Sequence, residues 1–155
     1  MRRAIIVAES QRRNTKPTSP YPAIDRFSGV YFRTIKKYLR EGKLPKIDII
    51  IVSRDFGILR SKDKIPYSLP VKKLSFDTES IGLMRETNLR KLRQIFQKGK
   101  YDEIYVNVGR EFYKLIEGFE KLTSAKIIYA SGLGLGPKAQ HMRDWILTVS
   151  EGQEK

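Results

Sequence analysis

Asp55 follows closely on an unbroken apolar run, Ile49-Ile50-Ile51-Val52, with only Ser53 and Arg54 between. A carboxylate at the carboxyl end of a buried strand can serve as a general base or stabilise positive charge developing on a sugar. Glu9 stands at the matching place after a first apolar run, Arg3 to Ala8, with Ser10 beside it. If those two strands are neighbours, Glu9 is the natural companion of Asp55. A third run, Glu103 to Val108, has Asn107, Gly109 and Arg110 at its end, where the Asn107 amide could read a base edge. The candidate catalytic residues are therefore Asp55, Glu9 and Asn107. A single aspartate in a loop also serves as a cap or a salt-bridge partner, and that alternative stays open.

A fourth run, Lys126 to Ala130, leads into SGLGLGPK, Ser131 to Lys138. Glycine lets a ligand approach the backbone, Pro137 suits a first helical turn, and the free N–H groups there favour an anion. Gly132, Gly134 and Gly136 alternate strictly, which matches neither a Walker A loop nor a GxGxxG fingerprint. A tight strand-to-helix turn would need the same glycines for geometry alone. The expected phosphate or nucleic-acid contacts are Ser10, Ser53, Arg54, Tyr67, Arg110, Ser131, Gly132, Gly134, Gly136 and Lys138. His141 follows three residues after Lys138, where it could face a ligand or simply be exposed. Tyr21, Tyr31 and Tyr67 could stack on bases, although Tyr31 fits a core stripe better.

Those residues need strands that end together and helices that cover them. The apolar, β-branched runs suit strands buried on both faces. Between them lie helical patterns: Tyr31, Ile35, Tyr38 and Leu39 on one face after Ser28 as N-cap, with Gly42 as the stop. Leu83, Leu89, Leu92, Ile95 and Phe96 fall at helical spacing from Ser80 to Lys98, ending at Gly99. Phe112, Leu115, Ile116 and Phe119 line another helix, and Ala139, Met142, Trp145, Ile146 and Val149 the last. Residues 12–22 read as a basic loop, and the stretch after Ser53 as an irregular segment folding back over the sheet edge. The order β-α-β-(α)-β-α-β-α predicts an α/β fold, a three-layer sandwich with a mostly parallel sheet of about four strands flanked by helices. One domain over residues 1–155 accommodates all of it.

The composition narrows the partner. Lys and Arg number 31 against 17 Asp and Glu, a formal net charge of +14. So basic a balance points to a polyanion, most often nucleic acid. The basic faces of the two helices from 28 to 41 and 81 to 98 carry no base-reading signature, so they predict salt-sensitive phosphate contacts. With no cysteine and a single histidine, thiolate chemistry and a histidine-rich metal site are excluded. No cofactor is called for. The chain has no apolar run long enough to span a membrane, and its basic start lacks the apolar length of a signal peptide, so a cytoplasmic location is expected.

Three stretches also carry a resemblance. Pro22 to Phe32 (PAIDRFSGVYF), Ile49 to Leu69 (IIIVSRDFGILRSKDKIPYSL) and Gly132 to Ile146 (GLGLGPKAQHMRDWI) resemble blocks of a small α/β family related to the peroxide-stress protein YaaA. The chain is also distantly similar to the core domain of archaeosine synthase. Arg54 and Asp55 stand where the family block has Ala and Lys, and Pro137 precedes the lysine of the last block. The resemblance implies association with nucleic acid and nucleobase chemistry. Together these observations predict action on a nucleobase or N-glycosidic bond in RNA or DNA, with non-catalytic nucleic-acid binding or an enzyme of free nucleotides as the alternatives.

Overall fold

The computed structural model describes residues 1–9, 21–27, 29–42, 47–54, 56–65 and 78–153. Asp55, Ser10, Tyr67, Ser28 and most of the basic loop lie outside the described residues, as does the side chain of Tyr21. In chain order the elements are β1 (Arg3–Ala8), β2 (Tyr21–Pro22), α1 (Ala23–Arg26), α2 (Val30–Arg40), β3 (Ile47–Ser53), β4 (Gly57–Arg60), β5 (Lys64–Ile65), α3 (Thr78–Gly99), β6 (Glu103–Asn107), α4 (Arg110–Tyr113), β7 (Lys126–Tyr129) and α5 (Leu135–Gln153).

The main sheet has the order β4-β3-β1-β6-β7. β3, β1, β6 and β7 run parallel, with Ile5 opposite both Ile49 and Tyr105. β1 is the centre, and its side chains divide by parity. Ile5 and Val7 join Phe32, Ile35 and Tyr38 of α2 and Met142, Trp145, Ile146 and Val149 of α5. Ala4 and Ile6 join Leu92, Ile95 and Phe96 of α3 with Leu115, Ile116 and Phe119. Two cores on opposite faces of one sheet make the expected three layers. Burial on both faces is why these strands read as continuous apolar runs instead of alternating ones.

The sheet has five strands, not about four. The extra one, β4, comes from the stretch read as irregular. It pairs antiparallel with β3, Ser53 opposite Gly57 and Val52 opposite Ile58. Gly57 makes the reversal with φ +73°, in the left-handed region open to glycine. Ile58 and Leu59 then bury on opposite faces. The outer edge is blunted by Lys91, whose Nζ donates to the Ile58 carbonyl at 2.5 Å. Beyond it, β2 and β5 form a two-stranded antiparallel ribbon.

The helix expected around Phe112 to Phe119 is replaced by the single turn of α4, further turns, and a 3₁₀ segment over Phe119–Leu122. Gly118 at φ +93° interrupts it. Leu115, Ile116 and Phe119 are buried all the same, because successive turns direct them at α3 and the sheet. In α2 the buried stripe is Phe32, Ile35 and Tyr38, with Leu39 exposed. Leu83 of α3 is exposed, and Ile81 takes the buried place in that turn.

On the β7 side, Glu120 Oε1 accepts hydrogen bonds from Tyr113 at 2.6 Å and Tyr129 at 2.7 Å. Burial pushes the Glu120 carboxyl up, but the two phenol donors outweigh it and hold it below its ordinary value. The same hydrogen bond, followed by burial, pushes Tyr113 up to about 12. Tyr129 is raised as well, by burial first and then by Glu120. A depressed carboxylate contributes stability above its ordinary pKa of 4.5 that is lost as pH falls below it. Raised phenols contribute stability below their ordinary pKa of 10.0 that is lost as pH climbs from there towards 12. Replacing both tyrosines by phenylalanine is expected to flatten the acid and alkaline limbs of a Tm-against-pH curve and to raise the Glu120 titration seen by NMR.

Candidate functional site

From β1 the chain crosses to β3 on one side, then returns to β6 on the other. The switch in direction therefore falls between β1 and β6, where open α/β sheets leave a crevice beyond the strand ends. A pocket of about 570 Å³ occupies that place. Ala8 and Glu9 close it from β1, Asn107 and Gly109 from β6, and Gly29 to Phe32 from the start of α2. Phe112 of α4 and Gly134, Leu135 and Lys138 at the start of α5 complete the wall.

Chain direction explains the convergence. The chain leaving the carboxyl end of β1 leads to α2 and that leaving β7 leads to α5, and both helices begin at this crevice. Their first N–H groups give it a partial positive charge, and the Lys138 ammonium adds a full one. The interior is mainly apolar, with Val30, Phe32, Phe112 and Leu135, and a few polar groups set among them. That composition is the usual one for a small-molecule site. A second cavity, about 310 Å³ near Lys100 and Ser124, lies at the opposite end of the strands, away from the crevice beyond their carboxyl ends.

Asn107 is the best-placed polar group, 4% exposed and on the same sheet face as Tyr105. Its amide hydrogen-bonds the Tyr31 hydroxyl, and Nδ2 also lies 4.0 Å from Met142 Sδ. Burial raises the Tyr31 phenol above its ordinary value, against the lowering effect of the Asn107 hydrogen bond. One step deeper, the Tyr105 hydroxyl sits 2.7 Å from His141 Nδ1, and the Tyr105 ring stacks on both His141 and Trp145. Burial, then the neighbouring Tyr31 and Asp144, push the Tyr105 hydroxyl up. His141 thus braces β6 against α5, on the inner side of Asn107.

Glu9 is the carboxylate that lines the pocket. β1 and β3 are neighbours, as its pairing with Asp55 requires. Its two oxygens are engaged by the β3 turn: Oε2 accepts from Ser53 Oγ at 3.2 Å and Oε1 from the Arg54 N–H at 2.8 Å. Ser53 is fully buried, and its Oγ also accepts from the Phe56 N–H at 3.2 Å. Ser53 therefore builds the turn instead of facing a ligand. The Arg54 guanidinium lies over the Phe112 ring, 5.7 Å from its centre, and so stiffens that wall of the pocket.

Of the remaining expected contacts, Lys138 and Gly134 line the pocket, while Arg110, Ser131, Gly132 and Gly136 are exposed beside it. Gly132 has φ +127°, and a Cβ there would stand 2.6 Å from Pro137 Cβ, so its glycine is required by the turn. Phe112 is the site residue that apolar periodicity concealed, since it fits a buried helix stripe; Tyr31 was read both as a stacking surface and as part of such a stripe, and Leu135 lay unremarked within the glycine turn. Gly29, just ahead of the first apolar helix, is the one signal that could have marked a close approach there.

No family model and no curated protein matches the chain. Among solved structures, its fold is similar to the crystal structure of AF0587, a protein of unknown function, with a TM-score of 0.55 and 14% identity. The likeness covers 93% of this chain, which spans 44% of the length of AF0587. At that identity it extends to the fold alone.

Proposed function

We propose that the pocket between β1 and β6 takes a nucleobase with its sugar and phosphate, presented by an RNA or DNA strand, and that the protein acts there on the base or its N-glycosidic bond. The observation that carries this proposal is the convergence of an aromatic and apolar wall, the buried Asn107 amide, the Glu9 carboxylate and Lys138 in one pocket of nucleotide size. Phe112 and Tyr31 offer flat surfaces for a base. Asn107 offers a donor and an acceptor for its edge. Lys138 and the first turn of α5 take the phosphate. In this reading Glu9 stabilises positive charge on a sugar as a glycosidic bond loosens. The net charge of +14 favours a polymer over a free nucleotide, which would need little of it. The resemblance to the YaaA-related family points the same way.

One observation favours binding without chemistry: both Glu9 oxygens already serve the β3 turn. A search for released base or altered nucleoside by mass spectrometry separates the two roles. Binding itself is tested with single-stranded DNA, duplex DNA, tRNA and a mononucleotide across a salt series. Affinity for the polymers is expected to fall steeply with salt, and Lys138→Ala is expected to reduce the slope of log K against log salt by about 1. Binding of the mononucleotide alone, insensitive to salt, would transfer the site to a free nucleotide.

A further inference from the structure

Three of the six large apolar side chains that stand exposed among the described residues fall within seven positions, Tyr129, Leu133 and Leu135. Leu133 is the extreme case at 95% exposed. It is held between Gly132 at φ +127° and Gly134 at φ +86°, two left-handed residues that fold the loop into an apex. Gly132 packs closely on Pro137 in the first turn of α5, so the apex is braced from behind. The same short loop also builds the pocket, through Gly134, Leu135 and Lys138.

A base can reach such a pocket only after leaving its stack, because a duplex hides its reactive edges. The vacated position is a gap between apolar base faces. Proteins that unstack nucleic acid fill such gaps with an aliphatic side chain inserted between base steps. Leu133 has the needed chemistry and exposure, next to the lysine that would hold the strand. Resting on the nucleobase site described above, we propose that Leu133 is a wedge. It enters the stack of a base-paired RNA or DNA segment and occupies the place of the nucleotide whose base lies in the pocket. The partner is thus a duplex or hairpin stem, not only an unpaired strand.

The test compares the full chain with Leu133→Ala and Leu133→Phe on DNA and RNA duplexes carrying a fluorescent adenine analogue opposite a mismatch. The same probe in single strands, and anionic phospholipid vesicles, serve as parallel arms. Leu133 is exposed, so its substitution leaves the core intact, which a melting curve verifies. The wild type is expected to brighten the probe on binding the duplex. Leu133→Ala is expected to lose that signal and about tenfold in duplex affinity, with single-strand affinity changed less than about twofold, and Leu133→Phe to restore the signal. Equal duplex behaviour of wild type and Leu133→Ala would overturn the wedge, and so would an equal loss on single strands. Leu133-dependent binding of vesicles without duplex opening would replace it with a lipid surface. Asn107-dependent binding of single strands without duplex opening would remove the wedge and leave the pocket proposal standing. Binding of no oligonucleotide would remove both.

Discussion

Truncating Ile6 to alanine is expected to cost about 2–5 kcal/mol of stability, and truncating Ile5 about the same. The two are adjacent in the central strand, both fully buried, and their side chains enter opposite cores. Ile5 lies among side chains of α2 and α5, Ile6 among those of α3 and the 115–119 turns. Neither cavity can collapse easily, because β1 is held by β3 on one side and β6 on the other. A domain of ordinary stability, roughly 5–15 kcal/mol, would survive either change with a lowered Tm. The double variant is expected to lie at or near the unfolding threshold at room temperature. Chemical denaturation checks this. A cost under about 1 kcal/mol at Ile6 would mean that the α3 layer is not packed on β1.

The second large effect concerns recognition. Asn107→Ala is expected to weaken single-strand binding about 5- to 150-fold, the range for losing a paired base-edge contact of about 1–3 kcal/mol. Asn107 is buried at the pocket wall and oriented by Tyr31. Its loss removes the amide and releases the Tyr31 hydroxyl from its partner. Tyr31→Phe keeps the ring and the amide, so a loss of less than about fivefold is expected, since one neutral hydrogen bond contributes about 1 kcal/mol or less. Competition binding with oligonucleotides differing at one base would show Asn107→Ala losing base preference as well as affinity. Equal weakening for every base would make Asn107 a spacer of the pocket wall.

The parts of this fold legible in the sequence were those where one physical demand dominates. Unbroken runs such as Ile49 to Val52 announce strands covered on both faces, and Met142, Trp145, Ile146 and Val149 announce a helix face by spacing alone. β4 escaped because Ile58 and Leu59 are only two apolar residues, and the partner that makes them a strand is β3, reached through a turn that depends on Gly57. The helix expected at 112–119 failed because buried turns and a helix face demand the same apolar residues. Gly118, not periodicity, decides between them. At the site, the strand ends pointed to Glu9 and Asn107 and the glycine turn to Lys138, and these three do meet in one pocket. Of the helix starts that complete it, Phe32 and Phe112 were hidden and Tyr31 stayed ambiguous, since an aromatic facing a pocket has the same helical spacing as one facing the core. Ser53 shows the reverse: polar and well placed in sequence, yet fully buried and committed to the turn that orients Glu9.

The most direct measurement is photocrosslinking of the protein to a single-stranded oligonucleotide carrying one halogenated or thiolated base, with the attached peptide identified by mass spectrometry. A base seated between β1 and β6 is expected to label Tyr31, Phe112 or the 134–138 stretch, and the label is expected to fall sharply in Asn107→Ala. Labels confined to the basic outer faces of α2 and α3, unchanged by Asn107→Ala, would contradict a nucleobase site in the pocket and leave only phosphate-mediated surface binding.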